Sequence, residues 1–139
     1  MKFLVEKSPP LSGSLRLAFF FNARGTELER SLLGLYRNLM LQLVKEKRSR
    51  PAMKAFLTTF DEKEEVLGEG KIIWQLNELQ DAFNDALLSG HLAPLELLID
   101  ALDECDEDQA RRFVRFIDGL VANALAKGLI LNVCWSSRH

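Results

Sequence analysis

The chain of 139 residues is poor in the residue types that build metal centres and disulfide frameworks. It has two cysteines and two histidines, and these four residues do not show the spacing of a metal-ligand motif. Free thiols are therefore expected, and with them a reducing, cytoplasmic location. The net charge is −2, so no basic field favours binding to nucleic acid.

Long hydrophobic runs are absent as well. No segment approaches the roughly 20 apolar residues of a membrane-spanning helix, and the apolar run within Met1–Lys7 is too short for a signal peptide. Met1–Lys7 is predicted to be the end of a helix. The sequence therefore predicts no membrane partner. Its hydrophobic fraction of 47% and charged fraction of 27% are ordinary for a globular domain, and this length suffices to bury a core.

Three short apolar runs predict the sheet. Leu15–Phe21, Leu95–Ile99 and Leu129–Trp135 are each expected to be a strand buried on both faces. Helical patterns separate the three runs, and this alternation predicts an α/β fold with a parallel sheet. Three strands are few for a fold of this class.

Caps and apolar stripes predict the helices. Thr26 and Glu29 form a capping box ahead of a leucine stripe that runs from Leu28 to about Lys47. The last helix carries an apolar stripe of Phe113, Val114, Ile117, Leu120, Val121 and Leu125. The other expected elements are a helix at Ala52–Thr59, a surface loop at Asp61–Gly70, a helix from Trp74 to near Gly90, and a second capping box at Asp106 and Gln109 opening a helix that ends at Gly128.

The segment from Leu95 to Glu104 carries the chemistry. Its apolar run delivers Asp100 at the carboxyl end of a buried strand, where open α/β sheets bind their ligands. In P-loop NTPases an aspartate at this place holds Mg²⁺ against the nucleotide phosphates. With Asp103 and Glu104 following, the segment has the form of an extended Walker B motif. The alternative for Asp103 and Glu104 is a solvated acidic loop that leads into the Asp106 cap, and the alternative for Asp100 is a turn or cap carboxylate after a strand.

The phosphate-binding loop that should accompany such a motif is missing. Nothing in the chain matches G-x-x-x-x-G-K-[ST], the loop whose backbone N–H groups and lysine cradle phosphates. The nearest segment, Gly68–Lys71, is followed by Ile72 instead of a hydroxyl residue, and it carries Glu69 where a phosphate would sit. It is predicted to be a loop ahead of the Trp74 helix.

Taken together, the chain resembles the NACHT domain of fungal NOD-like receptors. These proteins belong to the signal-transducing class of P-loop NTPases, and the same domain type opens nephrocystin-3-like proteins. The stretches that carry the resemblance are Phe19–Gly25, Leu32–Leu39, Leu98–Asp106 and Ser136–His139. It covers nearly the whole chain and is vague only between Arg48 and Lys71.

The resemblance implies a partial P-loop NTPase three-layer fold, in which a short parallel sheet of the family's strands 2, 3 and 4 is flanked by helices. The family sheet has the order 5-1-4-3-2, so the three strands are expected to be contiguous, with the Asp100 strand in the middle. Residues 1–139 then correspond to a partial NACHT domain that lacks the P-loop before Met1 and the modules beyond His139. Leu129–Trp135 is expected to present an open edge.

The resemblance also assigns roles at the site. Asp100 corresponds to the Mg²⁺ ligand, Asp103 and Glu104 to residues that polarise the attacking water, and Arg138 to the arginine that senses the γ-phosphate. The intact family uses ATP or GTP with Mg²⁺. Because it lacks a P-loop, this chain alone is expected to bind nucleotide weakly or not at all, and whether it is an enzyme stays open.

Two other functions remain possible from the residues. The first is a non-enzymatic interaction module that pairs through its open sheet edge with itself or with a full-length relative, or a fragment without activity. The second is a stand-alone metal-dependent hydrolase that uses Asp100, Asp103 and Glu104, which is disfavoured because no histidine or second carboxylate cluster completes a metal site.

Overall fold

The computed structural model describes residues 9–10, 13–92 and 94–138. In this part of the chain β1 (Leu15–Phe20), β2 (Leu95–Asp100) and β3 (Leu131–Trp135) form one parallel sheet in the order β1-β2-β3. The α/β class and the parallel sheet are confirmed, and so is the central position of the strand that ends in Asp100. The helix end predicted at Met1–Lys7 lies outside the described residues.

Helices connect the strands. The described helices are α1 (Leu32–Lys45), α2 (Arg50–Leu67), α3 (Leu76–Leu88) and α4 (Glu107–Ala126), with short 3₁₀ turns at Leu28–Arg30, Lys47–Ser49 and Leu102–Glu104. In the described part of the chain no helix has the length and apolarity needed to cross a membrane.

The hydrophobic core lies on one face of the sheet. The register aligns Leu17 with Leu97 and Leu97 with Val133, and the side chains of this face belong to the same hydrophobic cluster as Phe83 of α3 and Phe113 of α4. On the opposite face the residues of β3 are exposed. The third layer implied by the resemblance is not represented among the described residues.

The prediction that the strands are apolar and buried on both faces is wrong in two places. β2 contains buried Glu96, whose carboxylate accepts hydrogen bonds from Arg16 Nε (2.8 Å) and Ser14 Oγ (3.0 Å). β3 begins at Leu131, and its residues Asn132 and Cys134 are exposed. An apolar run predicts that a segment forms a strand, but the neighbouring elements decide how much of that strand is buried.

The predicted start of the first long helix is also wrong. The Thr26 N–H donates to Glu29 Oε2 (2.6 Å), but this contact closes only the 3₁₀ turn at Leu28–Arg30. Ser31 then adopts an extended backbone (φ −128°, ψ 156°), and its side chain accepts from the Gly34 N–H (3.3 Å). Helix α1 therefore begins after Ser31, which is its N-cap.

The second helix is longer than predicted. The segment from Asp61 to Leu67, predicted to be a surface loop, continues α2. Gly68, at φ 89°, ends the helix, because this conformation is open to glycine and costly for other residues. Because this charged segment has no apolar stripe, its two helical turns were not predicted from the sequence.

The start of α4 differs from a reciprocal capping box. The Asp106 carboxylate accepts from the Gln109 N–H (3.3 Å), as expected. The Gln109 side chain, however, accepts from the Leu32 N–H at the start of α1 (2.8 Å). Within the predicted stripe, Val121 and Leu125 are 39% and 78% exposed. The buried stripe of α4 is Phe113, Ile117, Leu120 and Ala124.

The two edges of the sheet are treated differently. At the β1 edge the Gln42 side chain of α1 accepts from the Ala18 N–H (3.1 Å) and donates to the Ala18 carbonyl (2.7 Å). At the other edge, the β2–β3 pairing uses the Ile130 carbonyl and the Ser136 N–H. The backbone groups of the alternate residues of β3 therefore point away from the sheet, and the described residues place no strand there.

Candidate functional site

The carboxyl ends of the three parallel strands meet at one edge of the sheet. Each strand there runs into a loop that carries polar side chains. The 3₁₀ turn Leu102–Glu104 follows β2, and residues 136–138 follow β3. This arrangement brings together the four residues singled out in the sequence, Asp100, Asp103, Glu104 and Arg138.

Asp100 is held by one of its two carboxylate oxygens. Its Oδ1 accepts from the Ala101 N–H (3.0 Å) and from the Ser136 hydroxyl. The described residues place no hydrogen-bond donor on Oδ2. Asp100 therefore has a fixed orientation and one oxygen left for a ligand.

The backbone just after Asp100 is strained. Ala101 adopts φ 55° and ψ 45°, and it is the one non-glycine residue with positive φ in the described part of the chain. This left-handed conformation costs an L-residue roughly 1–2 kcal/mol. Strain of this kind persists where the surroundings over-determine the backbone, and it is found preferentially at functional sites.

Ser136 is the residue that sequence reasoning missed. Its N–H donates to the Ile99 carbonyl (2.9 Å), and its carbonyl accepts from the Leu102 N–H (3.0 Å). These backbone bonds extend the β2–β3 pairing past Asp100 and place the Ser136 hydroxyl against its carboxylate. The signal was a hydroxyl residue directly after the third strand, but its partner lies 36 positions away.

Glu104 and Asp103 bind the loops that follow the other two strands. The Ala23 N–H, after β1, donates to Glu104 Oε2 (2.8 Å), and the Arg138 guanidinium donates to Oε1 (2.8 Å). The Arg138 N–H donates to Asp103 Oδ1 (2.9 Å). This backbone hydrogen bond, chiefly, lowers the pKa of Asp103 below its usual range.

The Arg138–Glu104 ion pair is weak enough to exchange. The Arg138 side chain is 78% exposed and that of Glu104 is 21% exposed, and ion pairs at exposed sites contribute about 0–1 kcal/mol. An anion at this edge could therefore take Arg138 from Glu104 at little cost.

No complete metal cage is formed by the described residues alone. Within that part of the chain no group of three or more histidine, cysteine, aspartate or glutamate side chains could hold a metal ion. Mg²⁺ in nucleotide sites needs less, since it is bound through one or two carboxylates together with substrate phosphates and waters. A single oriented carboxylate such as Asp100 fits this donor set.

The remaining reactive side chains do not extend the site. Cys105 is buried, and burial raises the pKa of its thiol to about 11, so it is a poor nucleophile at neutral pH. Cys134 is exposed on β3. The Gly68–Lys71 segment lies in a turn and irregular chain between α2 and α3, as predicted.

The comparisons with known proteins identify one family. The model of the family described as "Nephrocystin 3, N-terminal" matches residues 1–138. No curated protein and no solved structure matches the chain.

Proposed function

The chain belongs to the nephrocystin 3 N-terminal family, and we propose that it forms the acidic, magnesium-facing part of the nucleotide site in a NACHT-type switch domain of the P-loop NTPase class, related to that of fungal NOD-like receptors. The observation that carries the proposal is the state of Asp100. Its Oδ1 is fixed by Ser136 and Ala101, while its Oδ2 is left available at the ligand-binding edge of a parallel sheet.

Each of the four residues then has a separate task. Asp100 offers one carboxylate oxygen to Mg²⁺, whose charge would draw the phosphates of ATP or GTP to this edge. In this proposal Asp103 and Glu104 orient a water molecule through their carboxylates, and Glu104 does so through the Oε1 atom that Arg138 leaves. Arg138 supplies a positive charge for a phosphate once it leaves Glu104.

The phosphates themselves lack a cradle in this chain. The sequence contains no G-x-x-x-x-G-K-[ST] segment, and backbone N–H groups of that loop provide most of the contacts to phosphate. We therefore expect the chain by itself to bind Mg²⁺–nucleotide weakly and to show no turnover. Micromolar affinity in calorimetry would contradict this expectation.

A paramagnetic ion tests the proposed role of Asp100 even when binding is weak. Mn²⁺ replaces Mg²⁺ and broadens the NMR signals of nearby nuclei, so in the presence of ATP we expect broadening of the amide signals of Ala101, Ser136 and Arg138. Asp100→Asn should abolish it. Asp118→Asn, which changes an exposed carboxylate on α4, is the matched control and should leave the broadening intact.

Two outcomes of this experiment would contradict the proposed role of Asp100. Equal broadening in wild type and Asp100→Asn, or broadening centred on another acidic surface, would remove Asp100 from the metal site. Unchanged amide shifts outside the edge would show that the substitution has not unfolded the protein.

A second candidate function, a non-enzymatic interaction module, is favoured by the open side of the sheet. β3 contains neither a charged residue nor proline, which are two of the usual protections of an edge strand. The neighbouring helix α4 carries an exposed apolar side chain as well. The ring of Phe116 meets Tyr36 and Phe83 on one flank of α4, while Val121 on the other flank is exposed.

Such a surface fits pairing with a second copy or with a full-length relative. We expect the chain to self-associate at micromolar concentration, as measured by sedimentation velocity. Asn132→Lys with Cys134→Lys places charges on exposed positions of β3 and should give a monomer. Asn123→Lys, on the exposed surface of α4, is the control that should not. A wild-type chain that sediments as a compact, cooperatively melting monomer would refute this function.

A further inference from the structure

A second concave surface lies away from the carboxyl edge of the sheet, between α1, α2 and the segment that leads into α3. It is a groove with a volume of about 300 Å³, within the range of small-molecule sites. Its floor is formed by buried Met40 and Leu79. The remaining residues that line it are Arg37, Leu41, Val44, Phe56, Leu57, Phe60 and Trp74.

The aromatic wall of the groove is held in place. The ring of Trp74 lies 4.9 Å from that of Phe56 and is stacked at 6.4 Å on that of Phe60. Lys63 Nζ lies 4.4 Å from the centre of the Trp74 ring and is bound to Glu78 (2.6 Å). These contacts hold the indole as one wall of the groove.

Among the described residues that line this groove, Arg37 is the one that carries a charge. Its side chain is exposed at the rim, and none of the ion pairs in the described part of the chain involves it. Lys63, which lies over the Trp74 ring, is paired with Glu78. The groove therefore combines an apolar channel with one unpaired positive charge.

A neighbouring cavity of about 340 Å³ shares Arg37 and Leu41 with the groove and adds the polar side chains of Asn38 and Glu29. Arg37 thus stands at the junction of an apolar and a more polar cavity. Glu29 accepts from the Thr26 N–H, and this bond, chiefly, lowers the pKa of Glu29. Because the Glu29 carboxylate is itself negative, an anionic group of a ligand is expected on the Arg37 guanidinium and not deeper in this second cavity.

We propose that the groove binds a medium-chain amphiphilic carboxylate, with its alkyl chain along Phe56, Phe60 and Trp74 and its head group on the Arg37 guanidinium. The guanidinium pairs with a carboxylate through two parallel hydrogen bonds, a geometry that selects it over a neutral head group. The proposal concerns residues distant in sequence from Asp100 and is independent of nucleotide binding.

Tryptophan fluorescence provides the test. In a Trp135→Phe background Trp74 is the remaining tryptophan, so titration with decanoate reports on the groove. We expect a saturable change with one ligand per chain, and Arg37→Gln should weaken it by at least about tenfold, as expected for loss of a charge-assisted hydrogen bond. Arg115→Gln, on the exposed surface of α4, is the matched control and should bind as before.

Other ligands and probes separate the alternatives. Decanol that binds as tightly as decanoate would overturn the role of Arg37. A response that does not saturate, or that accompanies loss of helical circular dichroism, would overturn the site as detergent-like unfolding. Decanoate without effect, while an acidic amphipathic peptide quenches Trp74 in an Arg37-dependent way, would overturn the proposal in favour of a protein partner.

Discussion

Gly34 provides a test in which tertiary structure reverses the effect of a helix-favouring substitution. It lies in the first turn of α1, where the chain of the preceding 3₁₀ turn crosses it. A Cβ atom at Gly34 would lie 1.6 Å from the Leu28 carbonyl oxygen and 2.4 Å from the Leu28 carbonyl carbon. Because these are backbone atoms, no rotamer change relieves the clash.

The gain in helix propensity and the cost of the clash together decide whether Gly34→Ala stabilises or destabilises the protein. Replacing glycine by alanine inside a helix stabilises it by about 0.5–1 kcal/mol, whereas overpacking costs about 1–3 kcal/mol or more. Gly34→Ala should therefore lower the free energy of unfolding by about 1–2 kcal/mol net. Gly119→Ala is the matched control: Gly119 lies in α4 with nothing within 4 Å of the added Cβ, so it should raise the free energy by up to about 1 kcal/mol.

Urea unfolding measures both changes, provided that the dependence of the unfolding free energy on urea concentration is the same in the variants and the wild type. The clash should also displace the turn at Leu28 and the loop before it, so the amide signal of Ala23, which donates to Glu104, should shift in Gly34→Ala and not in Gly119→Ala. If the two variants gain equal stability, the crossing of Leu28 over α1 is wrong.

Three further predictions concern single side chains. The Tyr36 hydroxyl is buried and has no partner in the described part of the chain, so Tyr36→Phe should raise the free energy of unfolding by about 1–3 kcal/mol. If urea unfolding shows that the substitution lowers the free energy of unfolding by a similar amount, the hydroxyl is hydrogen-bonded. A thiol reagent at pH 8 should modify exposed Cys134 quickly and Cys105 only on unfolding, since burial raises the pKa of Cys105 to about 11; the reverse order in mass spectrometry would contradict the burial. The hydrogen bond from the Arg138 N–H lowers the pKa of Asp103. The ionised Asp103 side chain therefore stabilises the folded state above the unfolded pKa of about 4, and this stabilisation is lost as the pH falls further. The stability difference between wild type and Asp103→Asn should accordingly shrink below that pH in urea titrations, and a constant difference would exclude the bond.

Local patterns determined much of the fold. Three apolar runs separated by helical stripes were enough for the α/β class and the parallel sheet, because strand and helix periodicities are read from neighbouring residues. The Gly128 stop (φ 69°) and the Asp106 cap are of the same local kind, and both are confirmed. The position of Asp100 at the end of a strand was likewise predicted from an apolar run followed by a carboxylate.

Contacts between distant residues were decided only by the tertiary structure. The Ser136 hydroxyl fixes Asp100, Arg138 pairs with Glu104, and Gln109 caps the start of α1 although it belongs to another helix. Sequence spacing carries no information on such pairs, because the fold brings them together through the sheet. The chain by itself therefore determined which residues end the strands, while packing determined which of their oxygens remain free for a ligand and which strand edge stays open.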